Sequence, residues 1–459
     1  MLKISKENRT DRKYVEPGLC LYIRDYDDKR LFFLPRVFSE ANVAIIILVF
    51  CTFAQHLTPL TMKKFLLSLT LILSSILMSA QPLLKVTPEQ AGLDSKRLSN
   101  VDRIINESIS KGEVPGAVLA VVRDGKMAYI KAYGNKSVFP DTVKMTVNTV
   151  FDLASVSKPV GTAVAFMQLV EQGRIRLTDN VSMYIPGFKP WVDSATGRKI
   201  DIRVVDLLTH SSGLPPYAPV ATIVEKSGAP NPAALMEWIA NCKRDFKPTT
   251  RFQYSCLNFV TLQNILQNVT GMKLMDYSKK NVFDVLGMKN TTYNPTGEIL
   301  KLVAPTEKQK DGSVLLGRVH DPIANILNDG NSGNAGVFSN AEDLAILAAA
   351  LMNGGEYNGR RVLGKLTVET MITVPEGVKE LGRSLGWDNY SSYASNNGNL
   401  FHPEKTFGHT GYTGTSLIID PVSKTAVILL AHRVHPADVG SVVRLRALVA
   451  NAVAGSVVK

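Results

Sequence analysis

The chain has 459 residues, 45% of them hydrophobic, and a formal net charge of +12, which is enough for one large domain with a sizeable core. The basic residues are spread along the chain and form no cluster interleaved with aromatic residues, so nucleic acid is not an expected partner. No repeat or low-complexity tract divides the sequence.

A secretory signal is predicted well inside the chain. Met62 opens the stretch MKKFLLSLTLILSSILMSAQ, in which two lysines precede an apolar run and a small-residue cleavage site ending at Ala80. We therefore predict a signal peptide over 62–80 and a mature domain over 81–459, in the periplasm or outside the cell, with membrane contact only during export. Residues 1–61 are interpreted as an upstream extension that precedes the true start; the alternative is that they are translated.

The first part of the predicted mature domain indicates a helix followed by a hairpin. Residues 94–112 have the apolar spacing of a helix and end at a glycine. Two strand-like runs then flank Asp124-Gly125, a dipeptide typical of tight turns. The end of the chain mirrors this order, with a hairpin over 415–433 and a closing helix. This pattern predicts an α+β fold, one antiparallel sheet flanked by the terminal helices.

The middle of the chain differs from both ends. From about 175 to 343 the sequence is rich in turns and helical patterns and has few strand-like runs. We predict a helical region inserted between the two halves of the sheet. A cleft between a sheet and a helical lobe is a natural ligand site, so functional residues are expected along it.

A Ser-x-x-Lys pattern occurs three times, beginning at Ser108, Ser155 and Ser456. Ser108 falls in the last turn of a predicted helix, and Ser456 falls in a C-terminal tail that is expected to fray. Ser155 alone precedes a strongly apolar helix, where free N–H groups and the helix dipole favour negative charge. Lys158 follows one turn later, and a buried lysine can accept the serine proton. Ser155 is therefore the candidate nucleophile.

Two further segments supply what a serine–lysine site needs, namely a second proton carrier and an oxyanion site. Tyr254 stands just before an apolar helix, and His409-Thr410-Gly411 opens the last hairpin. With the Ser-x-x-Lys, they resemble the three motifs of the serine β-lactamase-related hydrolases, in the same order: Ser-x-x-Lys, Tyr-x-Asn, and Lys-Thr-Gly or His-Thr-Gly. The resemblance is to the branch of class C β-lactamases, D-Ala-D-Ala carboxypeptidases and esterases, and it covers most of 88–454.

The resemblance implies a β-lactamase/transpeptidase-like fold and an acyl-enzyme mechanism. Ser155 would attack a carbonyl carbon, Lys158 and Tyr254 would move its proton, and water would release the acyl group. The resemblance leaves open which of the two is the resting base. The oxyanion would lie between the backbone N–H groups of Ser155 and Tyr412. The residues expected on the oxyanion and substrate side are His409, Thr410, Gly411, Tyr412 and Cys256.

Two glycines and two replaced motif residues add detail to this expectation. Gly411 and Gly414 would let the strand edge approach the substrate closely. Cys256 takes the place of the family's asparagine, and a thiol is only a weak hydrogen-bonding group. His409 takes the place of a lysine that would offer a permanent positive charge. Both replacements weaken the case for β-lactam hydrolysis.

The expected substrate is therefore a small molecule or a peptide, including one derived from the cell wall, cleaved at an ester, amide or D-amino-acid peptide bond. One alternative is a true β-lactamase. Another, from a different class, is a module that binds peptidoglycan or peptide and has lost its chemistry through Cys256.

The remaining histidines and cysteines indicate no further chemistry. His210 and His320 are interpreted as residues that brace loops near the cleft. His432 and His435 lack the acidic partner of a metal motif, so neither a metal nor a cofactor is predicted. Of four cysteines, two lie in the predicted mature domain, which is too few for a disulfide framework. Whether Cys242 and Cys256 form one disulfide is left open.

Overall fold

The computed structural model describes residues 82–458, which belong to one compact unit. The extension predicted over 1–61 and the signal peptide predicted over 62–80 lie outside these residues. In the described part of the chain, every helix is too short or too polar to span a bilayer.

The main sheet is built from both ends of the domain. In chain order, the strands of the described residues are β1 (Gly116–Arg123), β2 (Lys126–Ser137), β3 (Val143–Lys144), β4 (Phe151–Asp152), β5 (Trp191–Val192), β6 (Lys199–Ile200), β7 (Thr292–Tyr293), β8 (Val337–Ser339), β9 (Glu356–Tyr357), β10 (Arg360–Arg361), β11 (Phe407–Thr410), β12 (Ser416–Asp420) and β13 (Thr425–Ala431). Six of them form an antiparallel sheet in the order β11-β12-β13-β1-β2-β3. The two predicted hairpins are β1–β2 and β12–β13, and their pairing side by side confirms the predicted sheet.

Helices cover both faces of this sheet. In chain order they are α1 (Ser95–Leu98), α2 (Asn100–Ser110), α3 (Val164–Glu171), α4 (Val204–Leu208), α5 (Val220–Ser227), α6 (Pro232–Asn241), α7 (Cys256–Thr270), α8 (Leu274–Ser278), α9 (Asp284–Leu286), α10 (Gly297–Leu302), α11 (Ala341–Met352), α12 (Lys365–Ile372) and α13 (Val443–Ala454). The region predicted as a helical insertion over 175–343 holds α4 to α10. Its standing as a separate inserted region remains a prediction.

Strand β1 is buried on both faces because its side chains alternate between two cores. Val118 and Val122 belong to the larger core, which the sheet shares with most of the helices. Leu119 and Val121 belong to a smaller core, formed with residues of α1, α2 and α13. The unbroken apolar run of this strand is what a central strand between two helical layers requires.

A small second sheet positions the candidate nucleophile. Strands β4, β8 and β7 pair side by side, and β4 ends at Asp152, three residues before Ser155. The last strand pair of the main sheet, β11–β12, ends at Thr410. The candidate site therefore forms where the small sheet, the edge of the main sheet and the start of α7 meet.

The other two Ser-x-x-Lys copies have structural roles. The Ser108 hydroxyl donates to a carboxylate oxygen of Glu113 over 2.7 Å. The expectation of a frayed tail at Ser456 is wrong, because its side chain is fully buried and donates to the Val453 carbonyl over 2.6 Å. The Asp94 N–H also bonds to the Ser456 carbonyl, so the C-terminus is tied to the start of α1.

Candidate active site

Ser155 follows a strained turn at the end of β4. Ala154 has a φ of 45°, a conformation that is uncommon for a residue with a side chain. The Asp152 carboxylate accepts the N–H of Ala154 over 2.9 Å and the N–H of His320 over 2.7 Å, which holds the turn in place. Ser155 then lies in a 3₁₀ turn that opens a continuous helical segment ending with α3. The turn leaves the side chain of Ser155 partly exposed.

Lys158 lies behind the candidate nucleophile and is fully buried. Its Nζ is 3.0 Å from Oγ of Ser155, 2.9 Å from the carbonyl oxygen of Asn334 and 3.7 Å from Sγ of Cys256. These three contacts match the three donors of an ammonium group. The amine is therefore fixed against the serine by a carbonyl from a different part of the chain.

Opposing effects act on the pKa of Lys158. Burial disfavours the ammonium form and on its own lowers the pKa. Interactions with Cys256, Tyr254 and Asp321 favour the ammonium form and outweigh burial, so the pKa of Lys158 is raised above its ordinary value. The lysine therefore holds its proton near neutral pH, and its amine form is the minor one there.

Tyr254 lies on the other side of Lys158, just before α7. The ring centroid of Tyr254 is 4.9 Å from Nζ of Lys158. Its hydroxyl is buried and has no hydrogen-bond partner in bonding geometry among the described residues. Burial raises the pKa of Tyr254, although Lys158 and Ser155 are near enough to oppose this rise. An unpartnered buried hydroxyl beside the candidate nucleophile is poised to exchange a proton with a bound molecule.

His210 fixes the ring of Tyr254. The two rings stack with centroids 4.5 Å apart, and Nδ1 of His210 accepts the N–H of Ser255 over 3.2 Å. The loop-bracing interpretation of His210 is thus confirmed, and its contact with Tyr254 adds a role that the sequence did not indicate. The imidazole of His320 instead pairs with Glu307, at 3.2 Å.

The third motif carries a neutral histidine beside a buried arginine. Nδ1 of His409 is 2.9 Å from the Thr410 carbonyl oxygen, and Nε2 is 3.5 Å from a guanidinium nitrogen of Arg383. Burial, together with the charges of Arg383 and Lys158, holds the pKa of His409 well below its usual value. Arg383 is itself paired with Asp388 over 3.3 Å. His409 therefore carries no positive charge of its own. The positive charge beside it belongs to Arg383, which is paired with Asp388.

Two threonines join the third motif to the nucleophile turn. The Thr413 hydroxyl donates to the Asp152 carbonyl over 2.8 Å, and the Thr415 hydroxyl donates to the Leu153 carbonyl over 2.9 Å. No local pattern marks either threonine, because each hydroxyl donates a hydrogen bond to a backbone carbonyl that is more than 250 residues away in the chain. They fix the distance between the nucleophile and the strand edge.

The structure adds a reason for the two glycines of this segment. A Cβ at Gly411 would collide with the Thr415 hydroxyl and the Leu153 carbonyl. At Gly414, φ is 128° and a Cβ would lie 2.7 Å from the Ala431 carbonyl oxygen. The glycines therefore make room for the Thr415 hydroxyl and for neighbouring backbone, while the close approach of a substrate to this strand edge stays a prediction.

A cavity of about 450 Å³ opens above Ser155. The sequence-predicted residues that line it are Ser155, Tyr254, His409, Thr410, Gly411 and Tyr412. Lys158 and Cys256 do not line this cavity, but both reach the site through the contacts of the lysine amine described above. The structure thus brings together all eight predicted site residues.

Three arginines that sequence reasoning missed also line the cavity, and no motif marks them. Arg383 and Arg433 are paired with Asp388 and Asp438. Arg446, on α13, is buried and donates to the carbonyls of Gly411 and Thr415 over 2.6 and 2.9 Å. Burial, with the charge of Arg433, lowers the pKa of Arg446 to about 9. These three arginines form one wall of the cavity, called here the arginine wall, which is positively charged at neutral pH.

The two cysteines of the described residues are unpaired, which answers the question the sequence left open. Burial raises the pKa of Cys256, so the thiol is neutral near pH 7 and can serve only as a weak acceptor for Lys158. In the described part of the chain, no group of three or more histidine, cysteine or acidic side chains is arranged to hold a metal ion.

The comparison with a family model identifies the chain. The family model described as Beta-lactamase matches residues 101–451. The chain belongs to the Beta-lactamase family. It is 31% identical over 401 residues to a candidate D-alanyl-D-alanine carboxypeptidase of Escherichia coli (strain K12). The matched region covers 82% of this chain and 92% of that relative. An N-acetylmuramyl-L-alanine amidase of Bacillus subtilis (strain 168) is 34% identical over 76% of this chain and 84% of its own.

Solved structures share the fold of this Beta-lactamase family member. The hydrolase EstCE1, described as having promiscuous acyltransferase activity, matches with a TM-score of 0.63 at 24% identity, covering 78% of this chain and 99% of its own. An octameric penicillin-binding protein homologue from Pyrococcus abyssi matches with a TM-score of 0.57 at 24% identity over 76% of each chain. The predicted fold class and the predicted resemblance are both confirmed, and the protein is a serine hydrolase of this family.

Proposed function

We propose that this protein is an exported hydrolase that forms an acyl-enzyme on Ser155. The observation that carries the proposal is the 3.0 Å contact between Nζ of Lys158 and Oγ of Ser155, with the unpartnered Tyr254 hydroxyl beside it. A serine becomes a nucleophile when a neighbouring base removes its proton. Lys158 and Tyr254 are the two groups placed to do so.

In the proposed mechanism, Oγ of Ser155 bonds to the substrate carbonyl carbon while its proton passes to the Lys158–Tyr254 pair. The same pair returns a proton to the leaving atom as its bond to carbon breaks. A water molecule, deprotonated by the pair, then attacks the ester on Ser155, and the pair returns that proton to Oγ of Ser155 as the ester bond breaks and the acid leaves. Each proton taken is returned, so the enzyme ends each cycle in its starting state.

The negative oxygen of the tetrahedral intermediate would bind between the backbone N–H groups of Ser155 and Tyr412. Both residues line the cavity, and the hydroxyls of Thr413 and Thr415 keep their two segments in register. Fixed donors of this kind stabilise developing charge without reorganisation. The threonine contacts therefore support an oxyanion site that is formed before substrate binds.

The arginine wall favours peptide substrates with a free carboxylate. Arg446 bonds only to carbonyl oxygens among its described partners, so a substrate carboxylate in the cavity would meet a charge that no acidic side chain neutralises. The names of the carboxypeptidase and amidase relatives agree with peptide or amide cleavage. We propose short peptides ending in a D-amino acid, including cell-wall fragments, as the principal substrate class.

Ester hydrolysis is a second candidate, favoured by Cys256. The thiol occupies the position of the family's amide and contacts Lys158 at 3.7 Å. An ester needs no amide-recognising group at that position, whereas an amide or a β-lactam side chain gains from one. We therefore expect simple esters to be cleaved and β-lactams to be the poorest substrates.

Hydrolysis of three substrates by one preparation tests the proposal. The panel is a peptide ending in D-Ala-D-Ala, p-nitrophenyl acetate and the cephalosporin nitrocefin, each assayed with the wild type and with Ser155→Ala. We expect turnover of the peptide and the ester, little turnover of nitrocefin, and loss of all activity in the variant. Binding of the peptide without turnover by the wild type would instead support the inactive binding module.

Export is tested separately by the N-terminus of the protein recovered from its native host. The proposal predicts that cleavage follows Ala80, so that the first residue is Gln81. Mass spectrometry of the N-terminal peptide decides this. Peptides from residues 1–61 in the mature protein would contradict the late start.

A further inference from the structure

We propose that Tyr393 determines specificity by forming an aromatic wall that binds an aromatic leaving group. The inference rests on the proposed function, because it takes Ser155 as the nucleophile and Tyr254 as part of the proton-transfer pair. It goes beyond that function by assigning a residue outside the three motifs to the choice of substrate.

The wall is built on a cluster of three rings, of which Tyr393 and Tyr254 line the cavity. The centroid of the Tyr393 ring lies 5.6 Å from that of Tyr254 and 5.5 Å from that of Phe252, which packs behind it. Half of the surface of Tyr393 is exposed, 50%. An aromatic side chain that is half exposed beside the partly buried Tyr254 leaves an apolar face available to a bound molecule.

The backbone around Tyr393 is anchored, and its ring packs on the rings of Tyr254 and Phe252. The side-chain amide of Asn396, a buried residue, donates to the Tyr393 carbonyl over 2.9 Å. The N–H of Asn399 donates to the side chain of Asn451 on α13 over 2.7 Å. A ring that is packed on its neighbours before binding loses less entropy when a ligand packs on it.

The position of Tyr254 indicates which part of the substrate meets this wall. A group that returns a proton to the leaving atom must lie within hydrogen-bonding reach of that atom. Because Tyr393 packs on Tyr254, the part of the substrate nearest to Tyr393 is the leaving group and not the acyl group. Ring–ring contacts favour an aromatic leaving group, by a factor of about three to ten in rate for one added stacking contact.

Phenyl acetate and methyl acetate separate the two halves of the reaction. Both give the same acetyl-enzyme, so the later water attack is identical, and kcat/KM reports the steps from binding up to and including the expulsion of the leaving group. We expect Tyr393→Ala to lower kcat/KM for phenyl acetate by about three- to tenfold and to change kcat/KM for methyl acetate by less than about twofold. Tyr393→Phe should keep both values.

Tyr390→Ala is the matched control. Tyr390 is a partly exposed tyrosine three residues away whose hydroxyl donates to the Lys379 carbonyl over 3.0 Å, and it is not among the residues that line the cavity. This variant should leave kcat/KM for both esters unchanged. Thermal unfolding of each variant verifies that the exposed substitutions leave the fold intact.

Each outcome decides the inference. An equal loss with both esters would mean that Tyr393 only positions Tyr254, and no loss with either would mean that the wall binds nothing; both results overturn it. A Ser155→Ala protein that still hydrolyses the esters, or a wild type that hydrolyses neither, would contradict the proposed function itself. Loss of activity in Ser155→Ala with no leaving-group effect at Tyr393 would overturn this inference alone.

Discussion

Nζ of Lys158 lies 3.0 Å from Oγ of Ser155 and is held there from behind by the carbonyl oxygen of Asn334, 2.9 Å away. The lysine has no solvent exposure, so its amine has no water to bind in place of the serine. A buried charge that is hydrogen-bonded on all sides is costly to form and is tolerated where it has a purpose. We propose that the purpose here is to exchange a proton with Ser155.

Replacement of Lys158 by methionine should abolish activity without unfolding the protein. We expect kcat/KM to fall by about 10²- to 10⁴-fold, the usual contribution of a positioned proton carrier. The free energy of unfolding should change little or increase, because an apolar side chain of similar length removes the cost of a buried charge. Hydrolysis kinetics and chemical denaturation measure the two effects.

Lys111→Met is the control for this variant, because Lys111 ends the Ser-x-x-Lys that begins at Ser108 and is exposed on α2, paired with Glu107. It should retain full activity. Retention of more than about a tenth of wild-type kcat/KM by Lys158→Met would remove the lysine from the proton-transfer pair.

Removal of the Tyr254 hydroxyl should affect chemistry more than stability. In Tyr254→Phe the ring can keep its stacking on His210, at 4.5 Å, while the group proposed to move the proton is lost. We expect kcat/KM to fall by about 10²- to 10⁴-fold. The midpoint of thermal unfolding should stay the same or rise, because a buried hydroxyl without a partner destabilises the fold. A large fall in the midpoint with activity preserved would show that the hydroxyl is structural.

Activity should rise with pH through the neutral and alkaline range. The pKa of Lys158 and that of Tyr254 are both raised, so the fraction of either group in its deprotonated form grows as pH increases towards that pKa. Activity therefore rises with pH whether Lys158 or Tyr254 is the base. A profile of kcat/KM against pH should therefore show a rising limb above pH 7, with a slope of at most about one logarithmic unit per pH unit. A profile that falls above neutral pH would contradict this assignment.

Gly411→Ala should separate the third motif from the nucleophile turn. The added methyl group would collide with the Thr415 hydroxyl and the Leu153 carbonyl. We expect the free energy of unfolding to fall by about 1–3 kcal/mol and kcat/KM to fall as well, since the oxyanion donors move apart. Gly377→Ala is the control, because a Cβ there meets no atom within 4 Å. Wild-type activity in Gly411→Ala would contradict the proposed coupling.

The fold was predictable where local patterns decide structure. Asp124-Gly125 marks the β1–β2 turn, and the apolar run over 116–122 needs cover on both faces. The terminal helices cover one face, and helices from the rest of the domain cover the other. The buried position of Ser456 was not predictable, because it depends on pairing between the C-terminus and residues near Asp94. Such contacts join distant parts of the chain, so the local spacing of apolar and polar residues does not indicate them.

The site was predictable to the extent that its residues belong to motifs. Ser155, Tyr254 and His409 were selected by ordered patterns, and the structure places all of them at one cavity. Arg446 and Tyr393 were not selected, because an arginine within a C-terminal helix and a tyrosine within a polar turn are ordinary surface residues in sequence. Only the folded chain brings them to the nucleophile.

Covalent labelling of the nucleophile is the most direct test of the central claim. The folded protein would be treated with a fluorophosphonate probe, and its mass and peptide map recorded for the wild type, Ser155→Ala and Ser108→Ala. The account predicts a single adduct on Ser155, absent from Ser155→Ala and retained in Ser108→Ala. No adduct on the folded wild type, or an adduct that persists in Ser155→Ala, would contradict it.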